Sequence, residues 1–494
     1  MNTPLRRVGI AMLSMIILLL ANATYIQVVN ADDYRRDPRN QRVLLEEYAR
    51  QRGRIIAVKD ILATVVPTND RLRYLRQYPD GPMYAPVTGY YSVRYGAAGL
   101  ERAEDEVLNG SDDRLFVRRL SDLITGRDPR GGSLELTIDP AVQRAAYEAM
   151  SARGFTGSVV ALRPDTGEIL GLVSTPSYDP NRLAAHDSAA QQQAWQEFNG
   201  TPDAPNTAEP MLNRAIQQTY PPGSTFKLVV AAAALEDGKD KDHQLTAAPN
   251  VTLPGTRNQL ENFAGSRCGG GGDTVSLETA LSLSCNTAFA SLAGELGRDK
   301  LTEQAGKFGI GATDLQIPMR VAASGVGSMP DDAAVWQSGI GQRDVRLTPM
   351  QDAMVVAAIA NGGTLMRPQL IRKILAPDLD TISDFTARTL DRPMSSRNAG
   401  VLRDMMIKSE ENTRGDGKVA GLTIASKTGT AEHGADPKNI PPHAWYVAFA
   451  PADKPTIAVA VLVESGGDRG LAATGGSVAA SIGRATISAG LAGR

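Results

Sequence analysis

Three short groupings hold the residue types that could do chemistry in this chain. Ser224 and Lys227 stand three residues apart at the head of 228–235, a continuously apolar, alanine-rich run that ends before Gly238. Such a run predicts a helix buried on every side. At 3.6 residues per turn the two side chains leave that helix ~60° apart, so a hydroxyl and an amine can meet. Burial disfavours the ammonium form of Lys227 and lowers its pKa, which suits it to take the serine proton. A helix N-terminus also offers free backbone N–H groups to a developing oxyanion. The alternative is a serine that only caps the helix while the lysine snorkels out. Ser-x-x-Lys is too common a spacing for the pair to decide alone.

The second grouping is Ser284-Cys285-Asn286, between a helix predicted over 276–283 and another ending near Gly297. Its alternative is a polar turn, since Ser396-Arg397-Asn398 repeats the pattern elsewhere. The third is Lys427-Thr428-Gly429-Thr430, after an apolar run predicted as a strand over 422–426. Glycine in a strand lets a substrate backbone approach, and a lysine with two hydroxyls can hold a carboxylate. A strand end with solvated polar residues is the other reading.

The elements that must position these groups can be read from turn and cap signals. A strand over 134–138 leads to Asp139 as cap and Pro140 at the first helical position. Two apolar runs, 158–162 and 168–174, flank Pro164-Asp165-Thr166-Gly167 as a hairpin. Thr348-Pro349-Met350-Gln351 predicts a capping box for a helix running to Asn361, stopped by Gly362 and Gly363. Strands over 422–426, 444–450 and 456–463 have short connections that favour antiparallel neighbours, and a small-residue helix from Gly475 follows. Strands at both ends of 150–494 with helices between predict one sheet built from distant segments and covered by helices, an α/β or α+β domain. Before it lie a charged stem over 32–54, a small mixed α+β module with β-like runs in 55–66, and a linker over 127–132.

Composition bounds the rest. The chain has 494 residues, 42% hydrophobic and 21% charged, which excludes disorder and a polytopic membrane protein. The 52 basic and 54 acidic residues nearly cancel, so nothing draws the whole protein to nucleic acid. Two cysteines are too few for a disulfide scaffold or a structural zinc site, and the four histidines lack His-Glu-x-x-His. Arg6 and Arg7 precede an apolar stretch over 8–29, long enough as a helix (~33 Å) to cross a bilayer. A signal peptide cleaved after Ala21-Asn22-Ala23 is the competing reading, and both export the rest of the chain. In that compartment Cys268, which precedes a flexible glycine run, and Cys285 are expected to form a disulfide rather than remain buried thiols.

In order, Ser-x-x-Lys on a helix, Ser-x-Asn between helices and Lys-Thr-Gly on a strand form the set found in penicillin-binding proteins and class A β-lactamases. The chain resembles a class B penicillin-binding protein, a membrane-anchored monofunctional peptidoglycan D,D-transpeptidase, and is closest to the actinobacterial members associated with cell division. Arg52-Gly53-Arg54-Ile55-Ile56, Gly99-Leu100-Glu101, Asn213-Arg214-Ala215, Tyr220-Pro221-Pro222-Gly223-Ser224 and Gly339-Ile340-Gly341-Gln342 carry the likeness further. The resemblance implies a cytoplasmic tail over 1–7, a transmembrane anchor over 8–29, an N-terminal stem or pedestal over 30–135, and an extracytoplasmic transpeptidase domain over 150–494. It implies Ser224 as acylated nucleophile, Lys227 as its base, Ser284 as proton relay and Asn286 orienting the donor peptide. Lys427 would supply positive charge. Thr428, Gly429 and Thr430 would bind the substrate or β-lactam carboxylate region, and the N–H groups of Ser224 and Thr430 would form the oxyanion hole. Peptidoglycan stem peptides, β-lactams, the membrane and glycosyltransferase or division-complex proteins are the implied partners. No cofactor, metal or nucleic acid is implied. Cys285 inside Ser-x-Asn and a compact pedestal depart from the usual pattern. A β-lactamase, a D,D-carboxypeptidase and a catalytically idle cell-wall scaffold are the alternatives.

Overall fold

A computed structural model describes residues 2–29, 48–115, 130–269 and 271–492. Residues 32–47 of the expected stem and 127–129 of the expected linker lie outside the described residues. Helix α1 (Asn2–Thr24) continues in one wider turn over Tyr25–Val29, and Arg6–Gln27 is long and apolar enough to cross a membrane.

Strands β1 (Ile55–Ala57), β2 (Asp60–Pro67), β3 (Tyr74–Gln77) and β4 (Ser133–Leu136) open the folded part. Helix α2 (Pro140–Ser151) follows, with the Asp139 carboxylate accepting from the Ala141 and Val142 N–H groups and Pro140 at the first position, as predicted. The expected hairpin is β5 (Gly157–Leu162) and β6 (Ile169–Thr175). The helices are α3 (Lys227–Glu236), α4 (Leu277–Ser282), α5 (Asn286–Lys307) and α6 (Pro349–Ala360). After α6 come β7 (Ile371–Leu375), β8 (Thr381–Asp384) and α7 (Ser396–Asn412). Strands β9 (Ala425–Ala431), β10 (His443–Ala450), β11 (Ile457–Val463) and α8 (Ala480–Ala492) end the chain.

The main sheet has the order β9-β10-β11-β5-β6 with every pair antiparallel, and β9 lies at its edge. Both faces are covered, which is why β11 reads as the unbroken apolar run Ile-Ala-Val-Ala-Val-Leu-Val. Alternate residues serve two cores: Val447 and Phe449 pack with α3 and α6, while Tyr446 and Ala448 pack with α2 and α8. This sandwich of helices around an antiparallel sheet is the expected architecture.

Two features of the packing have no local signal in the sequence. A second sheet has the order β8-β7-β4-β1-β2-β3, so strands from 371–384 complete the sheet that the N-terminal segment begins. A division of the chain at 135/150 therefore cuts through a hydrogen-bonded sheet. Thr348 caps α6 by accepting from the Gln351 N–H, but the box is half formed, because Gln351 Nε2 donates instead to the Phe308 carbonyl (2.8 Å).

The family-like segments at 52–56 and 99–101 meet inside the N-terminal module. Glu101 is fully buried and holds Arg52 Nε and Arg76 Nε at 2.6 Å each. A Cβ on Gly53 would sit 1.7 Å from the Gly132 carbonyl oxygen, so this backbone crossing requires glycine.

Candidate active site

The segment leading to Ser224 is clamped from three sides. Tyr220 exchanges both backbone hydrogen bonds with Leu347 (2.8 Å each), and the Gly223 N–H donates to the Gly341 carbonyl (3.0 Å). Trp445 Nε1 donates to the Pro221 carbonyl (3.0 Å). Gly223 lies at φ +55°, where a Cβ would sit 2.7 Å from the Thr430 carbonyl oxygen, so glycine lets the segment lie against β9.

Ser224 does not open the α-helix. Gly223–Phe226 form a 3₁₀ turn and α3 begins at Lys227. Residues i and i+3 eclipse in a 3₁₀ turn, which aligns Ser224 and Lys227 more closely than the ~60° of an α-helix. Ser224 is half-buried and Lys227 fully buried. The direct bond expected between them is absent: among the described residues nothing hydrogen-bonds Ser224 Oγ. Lys227 Nζ donates to the Ser284 carbonyl and to Asn286 Oδ1, both at 2.8 Å, and lies 3.4 Å from Ser284 Oγ. Contacts of this kind commonly tighten only when substrate is bound.

Ser284 takes φ +60°, a left-handed conformation that costs a non-glycine residue about 1–2 kcal/mol. Lys427 Nζ donates to its Oγ (2.8 Å) and to the Thr428 carbonyl (2.9 Å). One serine hydroxyl thus lies between two buried amines. Burial, and then the neighbouring Lys427, push Lys227 well below the usual lysine range. Burial lowers Lys427 to about 7. The positive charge expected of Lys427 is therefore divided between two protonation states at neutral pH.

The Lys-Thr-Gly group lies on a strand as expected, although that strand is β9 (Ala425–Ala431), which starts later than the apolar run and carries through the group. As an edge strand beside the cleft, β9 alternates Lys427 and Gly429 inward with half-buried Thr428 and Thr430, a pattern with no apolar signal. The role expected for Gly429 also changes. A Cβ there would meet the Pro222 carbonyl oxygen at 2.7 Å, so it is the nucleophile turn whose approach this glycine permits. Ser224, Ser284, Asn286, Thr428 and Thr430 line one cleft of ≈ 810 Å³. Cys268 and Cys285 are joined by a disulfide, which ties Ser284 and Asn286 to the strand-and-loop segment before α4.

Sequence reading passes over two supporting groups. Asp352, fully buried in α6, accepts from Thr225 Oγ1 (2.8 Å). The signal is a lone acid inside the apolar sequence of 349–360. Glu410 accepts from Ser426 Oγ, Tyr446 Oη (3.0 Å) and Arg484 Nε (2.8 Å), which fixes the start of β9 against α7 and α8. No local pattern announces that second group.

A helix-covered antiparallel sheet, with a serine turn backed by buried amines in an open cleft, is the arrangement of a serine acyl-transfer enzyme. Comparison with known proteins narrows the class. Residues 157–488 match the penicillin-binding protein transpeptidase domain, and 52–134 match the penicillin-binding protein A dimerisation domain. The chain is 56% identical to the peptidoglycan D,D-transpeptidase PbpA of Mycolicibacterium smegmatis, covering 99% of both chains, and 53% identical to PbpA of Mycobacterium tuberculosis, covering 100% of both. Among solved structures it is similar to penicillin-binding protein A from M. tuberculosis as its ceftriaxone acyl-enzyme (TM-score 0.87, 52% identity, 90% of this chain and 100% of that one). The penicillin G acyl-enzyme of the same protein gives a TM-score of 0.85 at 52% identity over the same shares. The chain belongs to the penicillin-binding protein family and to its class B, and its compact pedestal is the dimerisation domain of that group.

Proposed function

We propose that this chain is a membrane-anchored peptidoglycan D,D-transpeptidase in which Ser224 is the acylated residue. The observation that carries the reading is the convergence of Lys227, Ser284 and Lys427 on one buried hydrogen-bonded cluster beside the Ser224 turn. Ser224 Oγ attacks the carbonyl carbon between the two D-alanines of a stem peptide, and its proton passes to neutral Lys227. Charge on the carbonyl oxygen is met by the Ser224 and Thr430 N–H groups. The peptide C–N bond breaks, and the departing D-Ala amine takes a proton through Ser284 from the lysine pair. An acceptor amine from a neighbouring strand then attacks the acyl ester, its proton returns by the same route, and Ser224 is released. Asn286 orients the donor, and Thr428 and Thr430 hold its terminal carboxylate.

A β-lactam enters as a mimic of the donor and leaves Ser224 acylated. The acyl-enzyme complexes of the M. tuberculosis protein support this over an idle scaffold. The apolar helix at 6–27 anchors the chain with the catalytic domain outside the cytoplasmic membrane. Polymerised glycan strands are the substrate, so a glycosyltransferase and division-complex partners belong to the same reading. Intact-mass measurement of the ectodomain with and without penicillin tests it. One adduct mapping to Ser224 and persisting for minutes supports the transpeptidase. An adduct elsewhere sinks the assignment of Ser224, and rapid turnover of the penicillin makes the protein a β-lactamase.

A further inference from the structure

Behind the nucleophile turn lies a buried acid that the acyl-transfer steps do not use. Asp352 is 1% exposed and Thr225 0%. Thr225 Oγ1 lies 2.8 Å from Asp352 Oδ2 and 3.1 Å from the Pro222 carbonyl oxygen. The threonine hydroxyl has one proton and two acceptors within reach. When Asp352 is ionised, the carboxylate is the stronger acceptor and takes that proton. When Asp352 is protonated, its own O–H donates to Thr225 Oγ1 and the threonine proton goes to the Pro222 carbonyl. The second arrangement is a continuous chain from Asp352 through Thr225 to Pro222, closing the turn of four residues that contains Ser224.

We propose that Asp352 is a positioning residue for the acyl-transfer reaction: through Thr225 it sets the hydrogen bonding of the turn that carries Ser224, and its protonated form closes that turn. The inference rests on Ser224 being the acylated residue. Gly223, held by the Gly341 carbonyl, and Pro222, whose carbonyl lies over Gly429, leave the turn little freedom except at Thr225.

Both forms are populated near neutrality, because burial raises Asp352 to about 7 against the opposing hydrogen bond from Thr225. Helix α6 packs against β5, β10, β11, α7, the turn Arg214–Gln217 and the short strand Leu365–Met366, which carries no ionisable side chain. The ionisable side chains that these elements carry inward are Arg214, paired with Glu464, Glu410, paired with Arg484 and accepting from Tyr446 Oη, and His443, stacked on His433. Across the nucleophile turn stand Lys227 and Lys427. Burial and Thr225 set the balance at Asp352, and no charged neighbour enters it. Losing the acid's proton therefore acts through Thr225, drawing its hydroxyl proton away from the Pro222 carbonyl and opening the turn.

The test is the second-order rate of acylation by a labelled penicillin between about pH 5.5 and about 8.5, with the adduct mapped in each variant. The amide of Asp352→Asn donates to Thr225 Oγ1 as the protonated acid does. Its rate is expected to match the native rate at the acid end, and the variant-to-native ratio to rise about fivefold across neutrality. Asp352→Leu can neither donate nor accept, leaves the Thr225 proton to the Pro222 carbonyl, and is expected to follow the pH course of Asp352→Asn rather than that of the native protein. A ratio for Asp352→Asn that stays flat with pH overturns the proposal. If Asp352→Leu does not fold, Thr225→Val decides: placed on both native and Asp352→Asn backgrounds, it should abolish the pH-dependent difference between them, and survival of that difference overturns the proposal. An adduct away from Ser224 overturns the functional reading itself; with the adduct on Ser224, the pH ratio judges Asp352 alone.

Discussion

The N-terminal module and the active site both bury charged side chains, and they use them in opposite ways. In the module, Glu101 lies between Arg52 and Arg76 and also accepts from Tyr78 Oη (3.1 Å). Burial works to raise the acid, and Arg76 and Arg52 override it, holding Glu101 below the usual carboxylate range. In the active site, Lys227, Lys427 and Asp352 are buried with no ion pair among the described residues. Their pKa values move toward neutrality instead: Lys227 down, Lys427 down to about 7, Asp352 up to about 7. A buried charge that is paired becomes a fixed strut, and one left unpaired becomes a group able to exchange protons at working pH.

The sharpest test removes the reactive side of that contrast. Ser224→Ala is expected to take no label from penicillin at all, and Lys227→Ala to acylate about 10³-fold more slowly, with the thermal unfolding of both close to native. Labelling of Lys227→Ala at the native rate would mean that another group takes the serine proton. The converse belongs to the module. Glu101→Gln leaves the buried Arg76 without a counter-charge and Arg52 with only the half-buried Asp105 (2.6 Å), and is expected to destabilise by about 3 kcal/mol in urea unfolding. The acylation rate per folded molecule should stay within about threefold of native. A tenfold fall in that rate at unchanged stability would break the division of labour between the two regions.

The disulfide is the uncharged cross-link that stands between these cases. Its two cysteines are 17 residues apart in sequence, and both are buried. A closed loop of that size restricts the unfolded chain by roughly 3 kcal/mol in the entropy model. Other ties hold the same segment: Asn286 Nδ2 donates to the Glu261 carbonyl (3.0 Å) and Thr287 Oγ1 to the Ala248 carbonyl (2.8 Å). Cys268→Ala with Cys285→Ala is therefore expected to lose stability in denaturant unfolding while acylating within about threefold of native. Acylation falling a hundredfold would show that Ser284 and Asn286 depend on the cross-link for their positions.

What the sequence disclosed follows the same line between local and long-range causes. The capped helix at Asp139-Pro140, the hairpin around Gly167, and strands β10 and β11 are written in nearby residues, and they form where expected. The three motifs were legible by type and spacing, and the buried lysine by its place beside an apolar run. Strands from 371–384 completing the N-terminal sheet leave no local trace, because hydrogen-bond pairing across more than two hundred residues depends on the fold. The left-handed Ser284 and the 3₁₀ turn at Ser224 are imposed by packing against β9 and the disulfide loop, so propensity cannot supply them. The Lys227 contact is the instructive miss. Spacing placed the amine against Ser224, whereas the tertiary partners Ser284 and Asn286 hold it.

Unpaired burial should also leave a mark on stability, and Lys427 gives it a definite sign. In the folded protein burial lowers this lysine from 10.5 to about 7. Between those two values the unfolded chain binds a proton that the folded chain does not. Stability therefore rises with pH through that window, at about 1.4 kcal/mol per pH unit for one full proton. Below about 7 the folded protein takes up the proton as well, and this contribution to the slope disappears. Glu101 gives a slope of the same sign in a lower window: its folded pKa is depressed, so the stability it confers is present above the ordinary carboxylate value and is lost in acid. Lys427→Met keeps the bulk of the side chain and removes the titration. The native-minus-variant difference in urea midpoint, measured from about pH 7 to about 10, should rise with pH. Parallel midpoints would show that Lys427 keeps its charge on folding, and the unpaired amine would then belong with the struts.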